Sequence, residues 1–133
     1  MDKLTLNPTS LAKPSGYANG ILASGGRLLF LAGQTGMDAK GKIASPGDLV
    51  AQFAQALANL KTVLEEAGGQ MTDVVKLTIF VTDKKLYRVQ ARPIGEAYRS
   101  FFGNYYPAMT LVEVKGLWDD EALVEIEGLA VIE

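Results

Sequence analysis

Two stretches near the end of the chain alternate strictly. In residues 106–114, Thr110, Val112 and Val114 fall on one face and Met109, Leu111 and Glu113 on the other. In residues 123–131, Val124, Ile126, Gly128 and Ala130 share one face, and Leu123, Glu125 and Glu127 share the other. A period of two with β-branched enrichment predicts strands. Three carboxylates lie on faces that also carry Met and Leu, where a plain solvent face would be more uniformly polar. Such a mixture is expected of a cleft wall or a subunit interface.

Earlier in the chain the pattern predicts short strands at 4–6, 19–23 and 27–32, with Gly25-Gly26 as a hairpin signal between the last two. Residues 28–32, Leu-Leu-Phe-Leu-Ala, are apolar on both faces. Helices can cover one face of such a strand, and another subunit is the economical cover for the other. Ser45-Pro46-Gly47-Asp48 has the form of a helix start, with Ser45 as N-cap, Pro46 in the first turn and Asp48 as the capping-box acid. Leu49, Phe53, Ala56, Leu57, Leu60 and Leu64 then recur at helical spacing. Gly68-Gly69 ends that helix, which is expected over 47–67. Val75, Leu77, Ile79 and Val81 alternate with Lys76, Thr78 and Phe80, predicting a strand with one buried face. Asp83 can cap a second helix. Pro93 interrupts it, so a short turn at 84–91 and a helix at 93–102 are expected, the latter ended by Gly103. The order is β-β-β-α-β-α-β-β.

A chain of 133 residues is the size of one domain with one core. The formal net charge of −2 gives no basic field for nucleic acid. No apolar run is long enough to span a bilayer, and the first residues lack the form of a signal peptide, so a cytoplasmic protein is the default expectation. The absence of cysteine removes thiol nucleophiles and thiolate metal sites. The absence of histidine removes Ser-His-Asp triads, imidazole bases and His-ligated zinc. Asp, Glu, Tyr and Lys remain for proton transfer. Glu113, Glu125 and Glu127 are the acids from which a magnesium site would have to be built, and that is the weaker reading of them. No glycine pattern matches a phosphate-cradling loop, and no cofactor is implied.

Pro107-Ala108 followed by Val112-Glu113-Val114, and Glu125-Ile126-Glu127 followed by Ala130-Val131, resemble the Rid superfamily, the YjgF-like proteins. Pro14-Ser15-Gly16-Tyr17 resembles the family's Gly-Pro-Tyr segment. Gly33-Gln34 matches part of its Ser-Gly-Gln turn, and Phe80-Val81-Thr82-Asp83 its Phe-Val-x-Asp. Order and spacing together cover the chain from about Pro14 to its end. The resemblance implies a chorismate-mutase-like α+β fold, with a mixed β-sheet and two helices packed on one face. It further implies a homotrimer with an inner β-barrel and small-molecule clefts between subunits. In deaminating members an arginine directly after Pro-Ala binds the substrate carboxylate through two parallel hydrogen bonds. A glutamate matching Glu125 helps hold the attacking water, and a tyrosine matching Tyr17 lines the cleft.

Met109 stands where that arginine is expected, and a thioether packs against apolar or aromatic groups instead. The segment from Asp83 to Phe102 is also longer than in the deaminases, and it holds Arg88, Arg92 and Arg99 as substitute cations or as ordinary solvated helix positions. The expected site therefore has Glu125 as the catalytic group and Tyr17, Met109, Leu111 and Gly33 lining the substrate, without metal. Each has a plainer reading: a barrel-surface acid, a packing aromatic, a cleft floor, a strand residue and a turn. Glu113 and Glu127 read better as structural acids pairing with Lys115 or Lys76. Trp118 reads better as edge cover than as cleft rim. An enamine or imine hydrolase is the leading expectation, a small-molecule-binding or regulatory protein that lost the chemistry is second, and a ribonuclease is last.

Overall fold

A computed structural model describes residues 2–133. The chain runs β1 (Asp2–Leu6), β2 (Gly20–Ser24), β3 (Arg27–Gln34), α1 (Leu49–Glu66), a 3-10 turn (Met71–Asp73), β4 (Val74–Val81), α2 (Lys84–Val89), α3 (Ala91–Phe102), β5 (Ala108–Glu113) and β6 (Val124–Ile132). Four strands form a mixed sheet in the order β3-β6-β4-β5. The β4–β5 pair is parallel, and the β3–β6 and β4–β6 pairs are antiparallel. This is the expected α+β arrangement, with α1 and α3 packed on one face.

The core follows from the two periodicities. α1 buries Leu49, Phe53, Ala56, Leu57, Leu60 and Leu64. These pack on Leu77, Ile79, Val81, Val124, Ile126 and Ala130 of the central strands. α3 adds Ile94, Tyr98 and Phe102. Strand register decides which side chains share this helix-covered face. Leu77 pairs with Met109 and Gly128, and Ile79 pairs with Leu111 and Ile126. The other, open face carries Phe80, Val112 and Glu125 in one row. Leu28 and Phe30 of β3 also lie on the open face, 63% and 75% exposed, so the second face of the apolar strand is uncovered in this chain.

Four expectations are corrected. The closed inner barrel of a homotrimer is not what the structure shows: it is one chain whose described residues form an open sheet, with β3 and β5 at its edges. β2 and β3 do not form the hairpin expected across Gly25-Gly26. β2 pairs with β1 instead, Leu4 opposite Leu22, as a separate two-stranded ribbon. That ribbon is held at the far side of the sheet: Lys3 donates to the Thr72 carbonyl, the Ala18 amide donates to the Pro107 carbonyl (3.0 Å), and Ala18 bridges Ala108 in parallel. α1 starts two residues later than expected. Gly47 has φ of 79°, outside helical space, so Asp48 is the N-cap and accepts from the Ala51 amide at 3.0 Å. α2 is a true helix rather than a turn. Asp83 caps it through the Leu86 amide (3.0 Å), and Pro93 falls in the first turn of α3, where its missing N–H costs nothing. The end of α1 is as expected, with Gly68 at φ 82° and the Gly69 amide donating to the Leu64 carbonyl at 2.8 Å.

Candidate functional site

The parallel β4–β5 pairing brings Met109 and Leu111 out beneath α2 and α3. A cleft of about 490 Å³ opens there. Met109 and Leu111 form its floor together with Ile79. Tyr17, arriving on the loop before β2, closes one side. α2 and α3 supply Tyr87, Ile94, Gly95, Tyr98 and Arg99. Three of the five expected site residues, Tyr17, Met109 and Leu111, thus meet in one cleft.

Aromatic packing shapes its wall. Tyr98 stacks on Phe102 (centroids 4.4 Å, 14° apart in plane) and on Tyr106 (5.1 Å, 3°). Tyr87 meets Phe53 edge to face at 6.3 Å. The Tyr98 hydroxyl donates to the Tyr105 carbonyl at 2.7 Å, which locks the stack. Tyr87 differs. Burial pushes its phenol up to about 12, so it is neutral in ordinary solution, and its hydroxyl has no hydrogen-bond partner among the described residues. It is a donor held ready at the cleft and too weak an acid to serve as a base near neutrality.

Glu125 and Gly33 are brought together elsewhere. Both lie on the open face, and a Cβ placed on Gly33 would come 2.5 Å from the Glu125 carboxylate oxygen. Gly33 is therefore the gap into which this carboxylate folds. It has no hydrogen-bond or ion-pair partner among the described residues. Glu125 pairs in register with Phe80, one residue out of phase with the Ile79–Leu111 row. Adjacent positions in a strand point to opposite faces. Within one chain, then, Glu125 and Gly33 are on one side of the sheet and Met109 with the cleft on the other. Sequence alternation gave both faces correctly but not which face of β6 aligns with which face of β5. Only the β4 register decides that.

The remaining acids separate likewise. Glu113 accepts from the Lys84 amide at 2.9 Å and so helps cap α2. The partner is a backbone amide, where Lys115 or Lys76 was expected. Lys76 donates to the Thr110 hydroxyl at 2.8 Å. Glu113 and Glu125 lie on opposite faces, so the three acids do not converge. Trp118, in the β5–β6 loop, is fully exposed and covers nothing in this chain. Of the three arginines, only Arg99 lines the Met109 cleft. Arg88 borders a neighbouring hollow beside Leu111 and Glu113. A larger hollow of about 670 Å³ lies beyond Tyr17, walled by turn residues including Asn7, Pro8, Lys13 and Pro14.

Gln52 is the polar residue that sequence reading missed. It sits on the apolar face of α1 and is fully buried. Its amide donates to the Ser45 and Glu121 carbonyls (3.0 and 3.2 Å) and accepts from the Leu123 amide at 2.8 Å. It therefore ties the loop before β6 to the helix. A glutamine at a position where the helical period demands an apolar residue was the available signal.

The family described as Endoribonuclease L-PSP matches residues 9–132 of the chain. A RutC family protein of Pyrococcus horikoshii is 39% identical over 119 residues, 89% of each chain. A 2-iminobutanoate/2-iminopropanoate deaminase of Dermatophagoides farinae is 34% identical over 108 residues, 81% of this chain and 80% of its own. Among solved structures, the conserved Rid-family protein YyfB of Yersinia pestis superposes with a TM-score of 0.88 at 32% identity, covering 99% of this chain and all of its own.

Proposed function

The chain belongs to the Rid family, the YjgF/L-PSP-like proteins, and from that premise we propose that it hydrolyses a small enamine or imine bound in the Met109 cleft. The observation that carries the proposal is the meeting of Tyr17, Met109 and Leu111 in one aromatic-walled cleft, at the positions where the family resemblance puts substrate. In the reaction, water adds to the imine carbon to give a carbinolamine. The C–N bond then breaks, the nitrogen gains a proton, and ammonia leaves beside a carbonyl product. Positioning the water and delivering that proton are the protein's tasks. Glu125 is the group assigned to the water. Its carboxylate is unpaired among the described residues and held over Gly33.

In this reading Glu125 reaches the cleft of a second copy of the chain, because the sheet separates the two within one copy. The exposed Leu28 and Phe30 give that contact an apolar surface on the Glu125 face. Release of ammonia from imines generated in solution tests the activity, with Glu125→Gln expected to lower the rate about a hundredfold or more. Equal rates in the two proteins would remove Glu125 from the mechanism. Co-expression tests the shared site: Glu125→Gln and Met109→Asp, each inactive alone, should restore activity together.

A second reading is a binding or regulatory protein without turnover. One observation favours it: no Asp or Glu lines the cleft among the described residues. It predicts ligand binding, sensitivity to Met109→Asp and no ammonia from any imine. The ribonuclease in the family's description fits this chain poorly, with net charge −2 and no histidine.

A further inference from the structure

We propose that the cleft recognises a carboxylate through Arg99, which supplies from helix α3 the cation that position 109 lacks, so that the ligand is a small acid bearing an apolar or aromatic group. This deepens the reading above and rests on the same cleft.

Three observations carry it. Arg99 is the only charged residue among the described residues that line the cleft, whose walls are otherwise aromatic, aliphatic, glycine or hydroxyl-bearing. Its side chain makes no ion pair and no hydrogen bond among the described residues, so its five donors are uncommitted. It is also aimed. Long helical side chains lie back over the preceding turn, and here that turn carries Gly95. A Cβ on Gly95 would stand 3.1 Å from Arg99 Nη1. The guanidinium thus lies in the space that a side chain at 95 would take, on the cleft side of α3.

The class of ligand follows from what the cleft offers. One guanidinium calls for a single negative charge, and its planar fork matches a carboxylate. A phosphate dianion would leave a second charge uncompensated, since no other cationic side chain lines this cleft among the described residues. The neutral Tyr87 phenol adds a donor for an anionic or carbonyl oxygen. Met109, Leu111 and the Tyr98–Tyr106 stack accept the apolar remainder. Met109 and Arg99 thereby divide the work: position 109 holds the body of the ligand and position 99 its acid.

Calorimetric binding of phenylacetate, phenylacetamide and phenyl phosphate to the full-length protein tests this without requiring turnover. Wild type should bind the acid at least tenfold tighter than the amide or the phosphate ester. Arg99→Ala should lose at least tenfold for the acid and be unchanged for the amide. Arg99→Lys should fall between, keeping the charge without the fork. Gly95→Ala, a helix-favouring change, should weaken the acid only, by displacing the guanidinium. Acid binding that survives Arg99→Ala overturns the proposal, as does an amide or phosphate ester that binds wild type as well as the acid, or no binding of the acid at all. Ammonia release measured on the same proteins separates the two readings. Arg99-dependent binding without turnover removes the hydrolase and leaves the carboxylate site. Turnover with binding indifferent to Arg99 does the reverse.

Discussion

Gln52→Met keeps the length and volume of the side chain and removes only its amide. Three hydrogen bonds are lost: the Glu121 carbonyl and the Leu123 amide are left without a partner, while the Ser45 carbonyl keeps the Asp48 amide at 3.2 Å. Gln52 itself is fully buried, so the lost bonds are not recovered at its own position from solvent. At about 1 kcal/mol for each lost bond the cost is about 3 kcal/mol, against a total stability of about 5–15 kcal/mol for a domain. With unfolding entropy near 2.1 cal/mol/K per residue, a chain of this length loses about 4 °C of Tm per kcal/mol, so Tm should fall by about 10 °C. Urea unfolding of both proteins measures the difference directly, with equal m-values showing that the denatured state is unchanged. Gln55→Met, one turn along α1, is the control: it loses only the half-buried bond to Asn59 and should cost about 1 kcal/mol. A Gln52→Met loss no larger than that of Gln55→Met would refute the reasoning, because the buried network would then contribute nothing beyond one half-buried bond.

Gly33→Ala should lower ammonia release part of the way that Glu125→Gln does, while the fold persists, because the Cβ displaces the far end of a flexible carboxylate; a rate equal to wild type would detach Gly33 from the site. The tyrosines predict an alkaline limit. Burial raises Tyr87 and Tyr105 to about 12, while the unfolded chain ionises near 10, so their contribution is intact below pH 10 and is lost as pH rises toward 12. Tyrosinate absorbance and urea unfolding at stepped pH check this, and ionisation of all tyrosines near pH 10 without loss of stability would contradict it. Thr35 has a buried hydroxyl without a partner among the described residues, so Thr35→Val should be neutral or stabilising by about 1 kcal/mol in urea unfolding. A clear loss would reveal a partner for that hydroxyl. Met109→Arg adds a second guanidinium to the cleft. It should strengthen binding of a small 2-oxo acid by about tenfold or more, measured by calorimetry, and unchanged affinity would show that position 109 does not face the ligand.

How far the sequence determines this molecule depends on the range over which each pattern acts. The α1 and β4 periodicities, the Asp83 cap and the glycines at 68 and 103 are local, and each was legible because neighbours in sequence settle it. Gly25-Gly26 is also a local signal, yet it misled. A turn fixes which way the chain can bend, whereas the partner of β2 depends on what competes for its edge. Here β1 takes that edge, and the far side of the sheet holds the ribbon through Lys3 and Ala18.

The site shows the same division more sharply. Tyr17, Met109 and Leu111 converge because two neighbouring elements, the loop before β2 and the start of β5, are bridged at Ala18 and Ala108. Glu125 fails to join them for a reason that no reading of one strand could supply. Its own alternation is unambiguous, but its face relative to Met109 passes through two pairings, β6 on β4 and β4 on β5. A shift of one residue in either would have reversed the answer. Arg99 lay open as one of three arginines for a similar reason. Their spacing along α2 and α3 says which face of each helix they share, but not which helix face overlies β5. Once α3 is seated by Ile94, Tyr98 and Phe102, position 99 is carried to the cleft margin, and Gly95 leaves the space beside it. The charge that residue 109 lacks is therefore present one helix away, where the packing of α3 rather than any motif puts it.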